Sequence, residues 1–409
     1  MTYKKKLVLL LFVLFVLISC FFGRFDIARG FVTYTAQAQS QQQEDIEKEF
    51  EKSVSQQLEN LDFSGIEKVV TNLSTDAKQM FSQQSFVTVV QQVVSGEYIG
   101  NSQTFFSSAL SLFFGNIKKF LPTIATIIAV AISGGMIGAL KPTTNGKSID
   151  NVVHFVTYGL VVVFLGSILV NLVDLVTNTL NLIKGIFDAI FPILLTLLTA
   201  VGGSVSVGIY QPAIALLSGA FASLISYVLM PMFVFSLVFS LVGNLSNNVK
   251  LDRFVSFLQG SFKWTMGLCF TIFLGFVSIQ GIMAGAVDGL SVRTAKYAIK
   301  SYVPIVGGYV SDGLSIITAS SVLIKNAVGG VGLFLLLSSI ISPVLNLVVF
   351  MMALKFMSGI IEPIGDKKIA NFVGEMAKSL SLLIALLIAV SFMYLVLTGL
   401  VMCSANLLV

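Results

Sequence analysis

Six polar residues, Asn171, Asp174, Asn178, Asn181, Lys184 and Asp188, recur at steps of three and four in an otherwise apolar stretch, so a continuous helix would carry them on one face. The remaining faces would hold Leu172, Val173, Leu175, Val176, Leu182 and Ile183. Moving amides and carboxylates into hydrocarbon costs on the order of several kcal/mol each unless they are paired or hydrated. The stripe must therefore line water, meet another polar helix, or lie outside the hydrocarbon. Two readings stand: a polar path in which Asn171, Asp174, Asn178, Asn181 and Asp188 wall an aqueous passage, and an interfacial helix joining two spans. The second is favoured by the stripe's continuation past the end of a span of ordinary length.

Two further patterns follow each other along the chain. Gly281, Gly285 and Gly289 stand four apart, the spacing that lets another backbone approach one side of a membrane helix closely. Arg293, Lys296 and Lys300 then put three cations on one helical face, and with Asp288 they read as a charge cluster where a span ends. No catalytic, cofactor or metal site emerges. His154 is the only histidine and reads as a span-edge residue, with no Ser/His/Asp set or spaced carboxylate pair beside it. Cys20, Cys269 and Cys403 are scattered, which suggests neither disulfides nor a thiolate metal site. Neither a phosphate-binding glycine loop nor a dinucleotide fingerprint is present, so nucleotide hydrolysis would have to come from a partner.

The elements that position these residues follow from composition. Over 409 residues the chain is 56% hydrophobic and 11% charged, with a mean hydropathy of +0.92. That is the composition of an all-α, polytopic transmembrane helical bundle. The apolar residues come in runs of about 20, as helices crossing a bilayer require, and not in the short alternating strands of a barrel. The net charge of +5 is carried by basic residues in short loops beside apolar runs, which fixes topology or meets lipid headgroups and argues against nucleic acid.

Three regions are expected. Residues 1–38 form a signal peptide or N-terminal anchor: Lys4 to Lys6 precede the apolar run Leu7 to Ile18. Cleavage after Ala36-Gln37-Ala38, retention as an anchor, and lipidation at Cys20 all remain open. Residues 39–104 form an exported acidic segment, in which Ile46, Phe50, Val54, Leu58 and Leu61 recur at helical spacing. Ser64 and Glu67 fit a capping box that would start a second short helix there. Residues 105–409 form the membrane domain, with an interfacial stretch at 105–119 and spans near 121–140, 152–173, 186–208, 213–242, 265–287, 329–357 and 380–404. A weaker span at 305–325 makes about seven or eight in all.

If every span crosses, the loops with Lys141 and Lys147, with Arg293 to Lys300, and with Lys367 to Lys378 all fall inside, as the positive-inside rule prefers. The loop from Gly243 to Trp264, with Lys250, Arg253 and Lys263, then falls outside and breaks the rule. Lys325, Lys355 and Glu362 are expected at span ends, where long side chains snorkel. Two segments, Pro192 to Gly208 with Gly202-Gly203 and Pro304 to Gly313 with Gly307-Gly308, read as interrupted helices. Paired interruptions can mark a transporter's binding site, although glycine and proline are also simply common in membrane helices.

In the order of these features the chain resembles the stage III sporulation protein AE family. The resemblance rests on FLGFVSIQG at Phe273 to Gly281, DGLSVRTAK at Asp288 to Lys296, VPIVGG at Val303 to Gly308 and SSVLIKNAVG at Ser320 to Gly329. LDFSGIE at Leu61 to Glu67 and the double glycine after Pro192 add to it. The resemblance implies a membrane subunit of the channel or secretion-like complex that links mother cell and forespore and is needed for late forespore gene expression. It would sit, multi-pass, in the outer forespore membrane. Its implied partners are the other stage III subunits, including a separate ATPase and ring-forming proteins, and a forespore membrane protein. No catalytic residues carry over. A secondary transporter acting alone is the alternative, and a membrane enzyme built on Asp174, Asp188 or Asp288 is a third reading.

Overall fold

The computed structural model describes residues 40–81, 84–97, 102–139, 146–245, 251–302 and 307–404, with the side chains of 281–312 and of a few helix ends outside the description. The signal or anchor reading of 1–38, Cys20, Lys141 and Lys250 lie outside the described residues. The first 52 residues and Ser53–Val409 are separate compact units. Of the first, the described part is helical from Ser40.

The described residues contain helices and no strand. Helix α1 is Ser40–Glu59; three short helices follow, α2 Ser64–Thr71, α3 Thr75–Met80 and α4 Phe86–Val94. Then come α5 Ser102–Ala139, α6 Gly146–Ala200, α7 Ser204–Leu224, a π-helical turn Ile225–Leu229, α8 Met230–Leu245, α9 Asp252–Tyr302, α10 Gly307–Ile364 and α11 Lys367–Cys403.

Among the described residues, six helical stretches are long and apolar enough to cross a membrane: Phe105–Ile137, Val152–Ala200, Ser204–Asn244, Asp252–Gln280, Gly313–Ile364 and Lys367–Cys403. Two pairs of the expected runs share continuous helices among the described residues. The runs at 152–173 and 186–208 share α6, and those at 305–325 and 329–357 share α10. Polar residues such as Asn178, or a lysine such as Lys325, do not stop a helix, because only backbone chemistry does. The 55 residues of α6 measure about 80 Å, far more than a hydrocarbon core of about 30 Å.

At the turn after α6 the chain does break. Gly202 has φ 96°, its N–H bonds the Thr199 carbonyl, and the Gly203 N–H bonds the Leu198 carbonyl, each at 2.9 Å. This is the paired closure of a helix C-terminus by a left-handed glycine. The interruption expected at Gly202-Gly203 is therefore real; the one expected at Pro304 to Gly313 falls where α9 ends at Tyr302 and α10 begins at Gly307, with 303–306 outside the described residues.

The centre of the bundle is the antiparallel hairpin α10–α11. Asp366 starts α11 by accepting the Lys368 N–H at 2.8 Å, and Ser358 donates to the Ala370 carbonyl at 2.8 Å. Helix α5 lies against α10, with Phe120 on Phe350 at a ring separation of 4.8 Å. Backbones come close where this contact ends: a Cβ on Gly135 would stand 2.7 Å from the Gly365 Cα. Helix α6 packs on both central helices, while α8 and α9 cover the other side of α11.

Two ends of the bundle can now be told apart. The first gathers the start of α6, the end of α8, the start of α9 and the α10–α11 turn: His154 meets Asp366, Tyr158 bonds the Leu241 carbonyl, and Gly243 abuts Leu251. The second gathers the α6–α7 turn, the end of α11 and the short helices. Arg253, Lys367 and Lys368 therefore share the first end, with Lys263 and Lys378 about three turns along α9 and α11, and the turn before α9 lies at the same end as the α10–α11 turn. Arg293, Lys296 and Lys300 lie on the continuation of α9 away from the first end, because the helix runs unbroken from Asp252 to Tyr302.

The short helices pack on the bundle. Phe63, Ile66, Phe81 and Phe86 are buried, Phe81 stacks near Phe334 of α10 at 6.0 Å, and Gly65 sits against Ala189 of α6. Ser64 is not the expected N-cap. Phe63 occupies that position, and the Asp62 carboxylate accepts the Ser64 N–H at 2.9 Å. Glu67 instead reaches the start of α4 and accepts the Val87 N–H at 3.2 Å.

Candidate functional site

The polar stripe is one face of one straight helix. Asn171, Asp174, Asn178, Asn181 and Asp188 are all exposed on α6, Lys184 pairs with Asp188 one turn on, and Leu172, Val176, Leu180, Ile183 and Phe187 are buried behind them. The exposed face of α6 changes character at a single point. From Val152 to Val170 it presents Val152, Phe155, Val156, Leu160, Val163 and Val170; from Asn171 onward it presents the stripe and then Thr196 and Thr199. The apolar part measures about 28 Å, a hydrocarbon thickness. The stripe and the apolar part belong to one continuous helix. Helix α5 shows no such change: exposed apolar residues stand on both sides of Lys118 and Lys119, Phe106, Leu110 and Phe114 before them and Leu121, Met136 and Ile137 after.

Two other polar sites connect residues far apart in sequence. His154, whose side chain is 14% exposed, places Nδ1 2.5 Å from the Asp366 carboxylate, and its ring lies 5.8 Å from that of Tyr158. Its Nε2 is buried without a partner among the described residues. Asp366 thus holds two elements at once, the start of α11 through Lys368 N–H and the start of α6 through His154. The span-edge reading of His154 gives its height but not this pairing, because 212 residues separate the two.

Lys325 departs from expectation. It is wholly buried in α10, not snorkelling, and its ammonium donates to the Ser404 carbonyl at the end of α11. No carboxylate faces it among the described residues. The negative end of the α11 dipole supplies the compensating potential. One turn earlier, Ser320 and Ser321 bond Ser53 and Gln57 of α1, and further along α10 Ser342 donates to Asp76 at 2.7 Å. Lys355 and Glu362 are exposed as expected.

Gly281, Gly285, Gly289, Arg293, Lys296 and Lys300 all fall on the helical backbone of α9, with their surroundings outside the described residues. The described residues contain no group of three His, Cys, Asp or Glu placed to hold a metal, and Cys269 and Cys403 are free.

Long apolar helices around a buried hairpin, with a polar face along one of them and short helices packed beside it, define a polytopic α-helical membrane protein. The stage III sporulation protein AE family profile matches residues 84–405, and the chain belongs to that family. It is 23% identical over 318 residues to stage III sporulation protein AE of Bacillus subtilis (strain 168), which covers 78% of this chain and 80% of the relative. No solved structure matches. The chain is a sporulation protein integrated in a membrane by its apolar helices.

Proposed function

We propose that this protein is a membrane subunit of the channel or secretion-like complex that links mother cell and forespore, seated in the outer forespore membrane. The observation that carries the reading is the family match over 84–405, which includes nearly the whole helical bundle. The basic first end would face the mother-cell cytoplasm, by the positive-inside rule, and the acidic helices α1 to α4 would face the space between the two membranes. There they would meet the ring-forming subunits and the forespore membrane partner. Energy would come from the separate ATPase, docked at the basic end, and this chain would carry out no catalysis of its own. The exposed stripe Asn171 to Asp188 is the surface on that side best suited to bordering water.

Affinity purification of the full chain from sporulating cells tests this. Recovery of the other stage III membrane subunits and the ATPase is expected; recovery of none of them would overturn it. A transporter acting alone is the alternative; of its two expected helix interruptions, Gly202-Gly203 is a break and Pro304 to Gly313 falls partly outside the described residues.

A further inference from the structure

The chain from Ser204 to Leu245 is one long helix with a fault in its middle. At Ile225–Leu229 the ladder widens into the π-helical turn, where the Met230 N–H bonds the Ile225 carbonyl five residues back. The sequence accounts for its position. Pro231 has no N–H to offer the Tyr227 carbonyl four residues earlier, and in an α-helix its ring would collide with that oxygen. Widening the turn by one extra residue relieves the collision.

The halves on either side of the turn are held by different neighbours. Helix α8 is tied to α6, where the Tyr158 hydroxyl donates to the Leu241 carbonyl at 2.6 Å. Helix α7 is tied to α11: Ser218 Oγ lies 3.1 Å from the Tyr394 phenol oxygen, and Ser404 Oγ lies 2.9 Å from that of Tyr210. The Ser404 carbonyl in turn accepts from the buried Lys325 ammonium, so the seating of α7 is felt at the end of α11 and on α10. Beside the turn the packing is open. A crevice lined by apolar side chains separates Leu224 and Leu229 from Met266 and Phe270 of α9 and from Ala389 and Met393 of α11. Protein interiors are otherwise close-packed, so this crevice leaves the turn room to change.

The buried face of α7 consists of Ser206, Tyr210, Ile214 and Ser218, each four residues from the next. Closing the π turn to α geometry expels the extra residue, which rotates α7 by about 100° and moves it about 1.5 Å along its axis relative to α8. Each place on the buried face then passes to the following residue: Val207, Gln211, Ala215 and Gly219. That second set fits the same surface. Ala215 and Gly219 are smaller than the residues they replace, and only Val207 is larger. Gln211 brings an amide to Ser404 in place of the Tyr210 hydroxyl, so the contact of Ser218 with Tyr394 is the one without a successor. The Gly202-Gly203 turn at the other end of α7 takes up the movement.

We infer that the π-helical turn is a register hinge: α7 has two seatings against α11, one with the π turn and one with an α-helical turn, and Pro231 holds the chain in the first. Whatever binds one seating better than the other shifts the balance between them. The inference is independent of which other subunits the protein binds.

Nitroxide scanning of the full chain in liposomes tests it, with Cys20, Cys269 and Cys403 replaced by alanine and one spin-labelled cysteine placed in turn at each position from 213 to 220. Oxygen accessibility of the label reads burial whether the open side faces lipid or water. With Pro231 in place, minima are expected at 214 and 218. Pro231→Ala is expected to move them by one residue, to 215 and 219. Deleting Val228 from the Pro231→Ala chain takes out the extra residue itself and is expected to return the minima to 214 and 218. Minima that stay at 214 and 218 in a folded Pro231→Ala chain overturn the inference. Where Pro231→Ala alone does not fold, the chain that also lacks Val228 decides: folding with minima at 214 and 218 supports the hinge, and misfolding or minima elsewhere overturn it.

Discussion

Helices α6 and α9 are both over 50 residues long and largely apolar, yet along their exposed faces the order of apolar and polar residues is reversed. Helix α6 leaves the first end with Val152, Phe155 and Leu160 exposed and turns polar at Asn171. Helix α9 leaves the same end with Asp252, Arg253 and Lys263 exposed among Phe254 and Phe257, then presents the uncharged run Trp264, Leu268, Ile272 and Ile279. Hydropathy alone calls both membrane helices. Exposure shows where along each helix the charged and polar residues face outward.

The largest expected effect tests the α6 side of that comparison. Val163→Asp puts a carboxylate in the middle of the exposed apolar band, at a cost of roughly 3 kcal/mol for a charge at the centre of a membrane helix. Asn181→Asp adds the same charge on the same face above the switch and should change stability by less than about 0.5 kcal/mol. Immunoblots of the membrane fraction should show Val163→Asp strongly depleted and Asn181→Asp at wild-type abundance. Equal depletion of the two would move the hydrocarbon boundary beyond Asn181 and abolish the contrast.

Helix α11 is held at both ends by polar contacts, buried at Lys325 and partly exposed at Asp366. Lys325→Ala removes the donor that caps α11 and leaves a cavity, which should cost about 2–4 kcal/mol. Lys325→Met keeps the volume and should recover roughly half of that loss, read as thermal stability in detergent. At the other end, Asp366→Ala loses both the cap of α11 and the His154 contact, an expected loss of about 2 kcal/mol. Asp366→Asn keeps an acceptor for Lys368 N–H and should lose less than half as much. If both Asp366 variants behave alike, the His154 contact and not the cap holds that end.

The sequence was a good guide to whatever depends on local periodicity. The stripe from Asn171 to Asp188 falls on one exposed face, as its three and four spacing requires, and Gly202-Gly203 ends a helix as a left-handed glycine should. It was a poor guide to continuity and to partners. A polar residue such as Asn178 lowers hydropathy without disturbing backbone hydrogen bonds, so spans counted by hydropathy split α6 and α10 where the helices run through. Contacts such as His154 with Asp366, Lys325 with Ser404, and Glu67 with Val87 depend on packing that no local pattern encodes. Ser64 shows the limit on the smallest scale: its capping box is correct in residue type, but Asp62 accepts the Ser64 N–H and leaves Glu67 to cap α4.

That substitution of caps gives the smallest effect, on the aqueous side of the comparison. The Ser64 hydroxyl, then its N–H, hold the exposed Asp62 carboxylate below its ordinary value of 3.8, against a small opposing effect of burial and with minor help from Lys68. A carboxyl whose folded value is lowered contributes stability that is complete above the unfolded value and is lost as the pH falls through the folded one. Wild-type protein should therefore lose a small increment of stability below about pH 4, and Asp62→Asn should lack that increment and titrate less in this range. Thermal melts of the two proteins in detergent between about pH 3 and pH 6 measure it. Melts that converge at the acid end and separate slightly above it support the contact, while parallel curves would show that Asp62 holds no ordered partner at the start of α2.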